Sequence, residues 1–320
     1  MDYCDFRDLV TCSGENTTAV LIRELNRFLD QAAKPKPPVI WFEANACSGD
    51  SISLFNAAGP GLEQILSSII DLRYSNALMA AEGPAAIEEL AAAATANAGV
   101  FVLVVEGAIP VAARGRYGIV SWRGPMGTAG DAVTVASIVE WLGSLAGSVV
   151  AVGTCATHGG PSAARPNPSG SLGTSAALGR RDVINVTGCP AHPDWTMATL
   201  AHLLMYGPPG LDRWGRPTLI YGDTVHRHCQ RRSYFDRGEF ATGPGRRECM
   251  FEAGCVGPVT HSDCPYRQWN SYVNWPVKAS TPCIGCTTPE FPDGSTPFFA
   301  PLPVKRPGSP PGGHKEGIRV

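Results

Sequence analysis

Four short apolar runs, PVIWF (38–42), VFVLVV (100–105), SVVAVG (148–153) and DVINV (182–186), alternate with segments of helical spacing. Runs this short and this uniformly apolar fit strands buried on both faces. Helices fit Ser51–Asn56, Pro84–Asn97, Asp131–Leu145 and Pro193–Tyr206. Repeated strand–helix units restrict the chain to the α/β class, with a doubly wound parallel sheet. Ligands of such sheets gather beyond the carboxyl ends of the strands. Those ends carry chemistry: Cys47 follows the first run, VEGAIP the second, Cys155 the third and Cys189 the fourth. Three cysteines remote in sequence are thereby expected on one sheet edge, and Asp50 joins them through the Cys47 loop.

This pattern predicts a domain over 38–206. Before it, residues 1–37 read as an extension. Asn16 or Thr17 can cap a helix with apolar positions Leu21, Ile22, Leu25, Phe28 and Leu29, which KPKPP stops. From 207 to 300 the periodicity disappears, and Gly, Pro, Trp and Cys take over. His226, Cys229, Cys249, Cys255, Cys264, Cys283 and Cys286 all lie there. An irregular segment so rich in metal-binding side chains is expected to fold around inorganic cofactors rather than a conventional core. Residues 301–320 read as a flexible or partner-draped tail.

A formal net charge of −2 provides no electrostatic footprint for nucleic acid or an anionic membrane. Charged residues make up 17%, against roughly 25% in ordinary soluble domains, so part of the surface is expected to be covered by another chain. The start, MDYCDFRDLV, shows neither a secretory signal nor a twin-arginine pair, which sets cytoplasm as the expected compartment. The best apolar stretch, AGVFVLVVEGAIPVA, is broken by Glu106, so no transmembrane segment is expected. Eleven cysteines in a reducing compartment point to metal or catalysis more than to disulfides.

Nine of those cysteines form three triads: 47, 155 and 189; 229, 249 and 255; 264, 283 and 286. Each lacks one thiol of a four-cysteine site. Asp50 stands beside the first and His226 beside the second, while the third offers Pro276, which cannot ligate. Thiolates in such numbers select iron–sulfur clusters or zinc. Zinc ribbons use two Cys-x-x-Cys pairs, whereas here only Cys283 and Cys286 form one, so scattered single ligands favour clusters. Cys-Pro follows twice, at Cys189 and Cys264, as in ferredoxin ligand runs.

The segments ACSGDS, VEGAIP, VGTCATHGG, TGCPAHPDW, VHRHCQRRSYFDRGEFA, CMFEAGCVGPVT, CPYRQWN and NWPVKASTPCIGC resemble, in order from about Trp41 to Asp293, the successive motifs of nickel–iron hydrogenase small subunits. The resemblance implies a flavodoxin-like domain followed by an irregular iron–sulfur domain. It implies a proximal 4Fe–4S cluster on Cys47, Asp50, Cys155 and Cys189. It further implies a distal 4Fe–4S cluster on His226, Cys229, Cys249 and Cys255, and a medial 3Fe–4S cluster on Cys264, Cys283 and Cys286, with Pro276 at the vacant corner. The Ni–Fe centre would belong to a large-subunit partner, and a dimer of heterodimers is expected. Where most relatives carry Cys-x-x-Cys, this chain carries Cys-x-x-Asp, which resembles the soluble actinobacterial-type, oxygen-tolerant group. The six-cysteine proximal cluster of the membrane-bound oxygen-tolerant type is excluded, because its extra positions correspond to Gly49 and Gly160.

Plainer readings stand beside these. Asp50 could cap the helix that begins near Ser51. His228 reads as a bystander; His158 and His192 fit either contact with cluster sulfurs or a structural role. Glu43 and Glu106 could carry protons, although Glu106 at a strand end is expected to brace the loop over the proximal site. Cys4 and Cys12 read as free thiols. Competing functions are an H2-sensing regulatory hydrogenase subunit, the cluster-bearing chain of respiratory NADH dehydrogenase, which the complete distal and medial motifs disfavour, and a zinc-stabilised interaction protein without redox activity. The electron acceptor cannot be named from these residues.

Overall fold

The computed structural model describes residues 36–57, 61–122 and 132–300, with positions 20, 23, 24 and 27. The expected amino-terminal helix, Cys4, Cys12 and the 301–320 tail lie outside the described residues, apart from those four positions. The chain divides into two compact units, Met1–Ile220 and Tyr221–Val320.

In the first unit a parallel sheet is built from β1 (Pro38–Glu43), β2 (Asp71–Ser75), β3 (Val102–Glu106), β4 (Ser148–Val152) and β5 (Ile184–Val186), in the order β2-β1-β3-β4-β5. This is the flavodoxin-like doubly wound order, as expected. Ile40, Phe42, Leu103, Val105, Val149 and Ala151 project into a core with Leu90 of helix α2 (Gly83–Ala96) and with Ile138 and Leu142 of α3 (Val135–Leu145). Every residue of β3 is buried, consistent with a strand covered on both faces. The chain runs from β1 to β2 on one side and then returns to β3 on the other. The carboxyl ends of β1 and β3 therefore flank the point where strand order reverses, the usual ligand crevice.

Two helices carry the site, in addition to α1 (Gly49–Phe55), which leaves the loop after β1: α4 (Gly153–His158), directly after β4, and α5 (Pro193–Tyr206), after β5. α3 starts later than the sequence predicts. Its cap is Thr134, whose hydroxyl accepts from the Ser137 amide while the Ser137 hydroxyl accepts from the Thr134 amide, a reciprocal box that satisfies two otherwise unpaired donors. Residues 207–220 belong with the first unit: Gly215 and Trp214 carbonyls accept from the Asn185 backbone and side chain on β5.

The second unit has little regular structure among its described residues, chiefly short helical turns at Val225–His228, Arg232–Asp236 and Cys264–Arg267. Its small core joins Val225, Ala241, Met250, Ala253, Trp275 and Val277 to Cys255, with Cys229, Cys264 and Cys283 packed against it. Thiols are thus part of the packing. Arg231, buried, ties the unit together by donating to the carbonyls of Arg246 (2.7 Å) and Glu248 (2.9 Å) and to the Ser280 hydroxyl (2.7 Å). No helix among the described residues is long and apolar enough to cross a membrane.

Candidate metal centres

The first ligand set collects at the carboxyl edge of the sheet. Cys47 lies in the loop between β1 and α1, Cys155 in the first turn of α4, and Cys189 in the loop between β5 and α5. The loops are fastened to one another: Thr154 N–H donates to Gly188 O (2.7 Å), Gly188 N–H to Thr154 Oγ1 (3.0 Å), and Ser53 Oγ to Ala191 O (2.7 Å). Burial pushes the Cys155 thiol up, a hydrogen bond from Ser162 opposes this, and both Asp50 and Cys47 push it further. Those influences bring Cys47, Asp50 and Cys155 into one electrostatic neighbourhood.

Asp50 does not cap its helix. No side chain at the N-cap, Ser48, bonds the first-turn amides, and the Asp50 carboxylate points instead to the Cys189 loop, where Oδ1 accepts from Ala191 N–H at 2.6 Å. Burial raises its pKa to about 7; the Ala191 amide lowers it, and Glu106 raises it. Asp50 is thus a half-buried carboxylate in the same neighbourhood as the Cys47 and Cys155 thiols, aimed at the Cys189 loop.

Gly153 makes room for this carboxylate. Its φ is +85°, and a Cβ there would fall 2.0 Å from Asp50 Oδ2. Gly153→Ala is therefore expected to displace Asp50 and to strain the turn into α4, at a cost of about 1–3 kcal/mol from the backbone alone. A thermal denaturation midpoint equal to that of the parent would count against this packing.

The second set surrounds a pocket lined by His226, Cys229, Cys249 and Cys255 together with Val225, Met250, Phe251 and Val277. All four proposed ligands face one largely apolar cavity. His226 lies edge-on to Phe235, with centroids 4.5 Å apart, and burial first, then Arg232, lowers its pKa. That shift favours the neutral imidazole, the form that binds metal. Burial raises the thiols of Cys229 and Cys249, and that of Cys255 to about 11. His228 is a bystander, as expected: Nε2 meets Asp223 Oδ2 at 2.9 Å and Nδ1 meets the Tyr266 hydroxyl.

Cys264, Cys283 and Cys286 form the third set and influence one another directly. Burial pushes Cys264 up to about 12 and Cys283 well above the usual thiol value. Ser262 Oγ–H donates to Cys264 Sγ at 3.1 Å, and Cys283 N–H donates to Cys255 Sγ at 3.4 Å, so the second and third sets abut. Pro276 is exposed between buried Trp275 and Val277.

Thiols buried this way are protonated at neutral pH unless a cationic metal centre draws off the protons. Among the described residues, no three His, Cys, Asp or Glu side chains close to the spacing of a single ion.

Of the two remaining histidines, His192 has a structural role in the geometry. His192 caps α5, Nδ1 accepting from Asp194 N–H at 3.1 Å. His158 ends α4 with its pKa lowered to about 4 by burial and then by Arg216, and its buried Nε2 has no hydrogen-bond partner among the described residues. The residue least visible in the sequence is Trp41, whose ring N–H reaches Glu106 on the neighbouring strand; only strand pairing brings them together.

Comparison with known proteins agrees with this geometry. Residues 221–299 match the family described as the C-terminal part of the NiFe/NiFeSe hydrogenase small subunit, and residues 47–203 match the 20 Kd subunit of NADH ubiquinone oxidoreductase. The small subunit of the periplasmic NiFeSe hydrogenase of Desulfomicrobium baculatum is 39% identical over 275 residues, spanning 82% of this chain and 87% of that one. A solved structure of the NiFeSe hydrogenase from the same organism superposes with a TM-score of 0.79 at 38% identity, covering 84% of this chain and 100% of that chain. The actinobacterial-type NiFe-hydrogenase from Ralstonia eutropha H16 gives 0.76 at 31% identity, with 86% of each chain covered.

Proposed function

The chain belongs to the small-subunit family of nickel–iron hydrogenases, and on that premise we propose that its three ligand sets hold three separate iron–sulfur clusters. Members of this family are electron-transfer subunits that pair with a large subunit, and iron–sulfur clusters are their cofactors. Our assignment is Cys47, Asp50, Cys155 and Cys189 for a proximal 4Fe–4S cluster and His226, Cys229, Cys249 and Cys255 for a distal 4Fe–4S cluster. Cys264, Cys283 and Cys286 take a medial 3Fe–4S cluster. Such clusters supply one-electron transfer between the large subunit's Ni–Fe centre and an acceptor.

The chain's own contribution is positioning, charge and exclusion of water. Thiolates bind iron; Ser262 and the Cys283 and Arg231 amides donate to ligand sulfurs. Such hydrogen bonds raise reduction potentials by easing the accumulation of negative charge. Met250, Phe251 and Val277 line the His226 cavity with apolar surface. Localisation in the cytoplasm, assembly as a dimer of heterodimers and oxygen tolerance complete the proposal. The Cys-x-x-Asp loop and the likeness to an actinobacterial-type enzyme support the last of these.

The convergence of His226, Cys229, Cys249 and Cys255 on one apolar cavity is the observation that carries the assignment. In His226→Ala, the EPR signal of one reduced cluster is expected to change while H2 activation at the partner's centre, read by H/D exchange, persists. Electron delivery to an external dye should slow by about tenfold or more, following loss of one ligand. Unchanged spectra together with parent-like delivery would remove His226 from the ligand set.

A further inference from the structure

We propose that Glu106 is the positioning residue of the proximal site: it caps α1 from the neighbouring strand and thereby releases the Asp50 carboxylate toward the ligand position. The inference rests on the reading of Cys47 and Asp50 as cluster ligands.

Helix α1 begins without a cap of its own. Ser48 occupies the N-cap with φ 55°, and its side chain bonds none of the first-turn amides. Its hydroxyl donates instead to Glu43 Oε2 at 2.8 Å. An uncapped first turn leaves amide donors that require acceptors. Asp50, in that same turn, is the nearest carboxylate in sequence, but its Oδ1 is engaged by Ala191 N–H.

Glu106, the last residue of β3 and only 1% exposed, supplies the acceptors. Its Oε1 accepts from the Asp50 amide at 3.0 Å. Its Oε2 accepts from the Ser51 amide at 3.1 Å, the Ser51 hydroxyl at 2.5 Å and Trp41 Nε1–H at 3.0 Å. These are the two backbone donors that an N-cap side chain ordinarily satisfies, here served from a residue on another strand. Every bond runs to a carboxylate, the stronger kind.

Backbone geometry fixes the distance. Glu106 O accepts from Ala44 N–H at 2.7 Å, and Asn45 pairs with Ala108 across the strand ends. Gly107, at φ +89°, lies so close that a Cβ would meet the Asn45 carbonyl carbon at 2.6 Å. The VEG sequence therefore has two linked functions: Glu106 receives the helix, and Gly107 allows the loop after β1 to press against it. Cys47 is held between Asn45 and α1 by this arrangement, and Asp50 faces the Cys189 loop.

The test is Glu106→Gln in the assembled heterodimer. A glutamine keeps the volume but turns an NH2 group toward amides that need an acceptor. Amide hydrogen exchange across 49–55 is expected to accelerate on the order of tenfold or more, and the proximal EPR signature is expected to shift while the other two cluster signals stay at parent positions. If the variant fails to assemble, Ser51→Ala removes only the hydroxyl donor and should shift the same signature in the same direction by a smaller amount. Parent-like exchange and an unchanged proximal signal in the variant that assembles would overturn the inference. Absence of any proximal cluster in the parent protein would instead overturn the ligand reading on which it rests.

Discussion

Stripped of iron, the second unit is expected to lose its cooperative fold while the parallel sheet of the first unit persists. Its core is a small group around Val225, Met250, Trp275 and Val277, completed by Cys255 and packed against Cys229, Cys264 and Cys283. The regular structure described there amounts to short turns. Structural zinc in zinc-finger peptides contributes roughly 10–16 kcal/mol of folding free energy, as much as the roughly 5–15 kcal/mol net stability of an ordinary domain, which sets the scale for metal-dependent folding here. By contrast, β1, β3 and β4 are buried among apolar side chains that owe nothing to metal. Anaerobic chelation followed by amide exchange should therefore show protection lost across residues 221–300 and retained along the three central strands. Persistent protection throughout 221–300 would show that the thiols are ordinary core residues.

Replacing Asp50 is expected to alter the proximal cluster more than the fold. Asp50→Asn preserves size and an Oδ1 able to accept the Ala191 amide now 2.6 Å away, so packing of the Cys189 loop survives. The lost anionic oxygen should lower proximal iron affinity by about tenfold or more and change the cluster spectrum. Asp50→Cys restores an all-thiolate set, softer and more covalent toward iron; it should regain iron and lose aerobic activity. The helix amides are served by Glu106 in each variant, so neither should uncap α1. If Asn and Cys variants both matched the parent in spectrum and in aerobic activity, Asp50 would be no ligand.

The sheet was legible because its central strands are buried on both faces and hence apolar without interruption. β2, Asp71–Ser75, was not: it is an edge strand, paired only with β1, and its DLRYS sequence mixes exposed Arg73 with buried Tyr74 and Ser75. Cys155 was placed just after the third strand, but the short helix that carries it, Gly153–His158, is too brief to show a period and starts from a left-handed glycine. Motif order located every proposed ligand. What no local pattern contained was the alternative acceptor for α1, because Glu106 reaches Trp41, Asp50 and Ser51 only after β1 and β3 pair in register, Glu43 opposite Glu106. The capping role that spacing offers Asp50 only as the plainer alternative is filled by a residue on another strand.

Metal and spectroscopic analysis of the untagged complex, purified with its large subunit and reduced under H2, tests the central claim most directly. Nickel with abundant iron and acid-labile sulfide, brown absorbance that bleaches under H2, and three distinguishable cluster signals are the predicted result. A colourless complex containing zinc and no sulfide, or iron unresponsive to H2, would contradict the assignment of these three ligand sets to electron-carrying clusters.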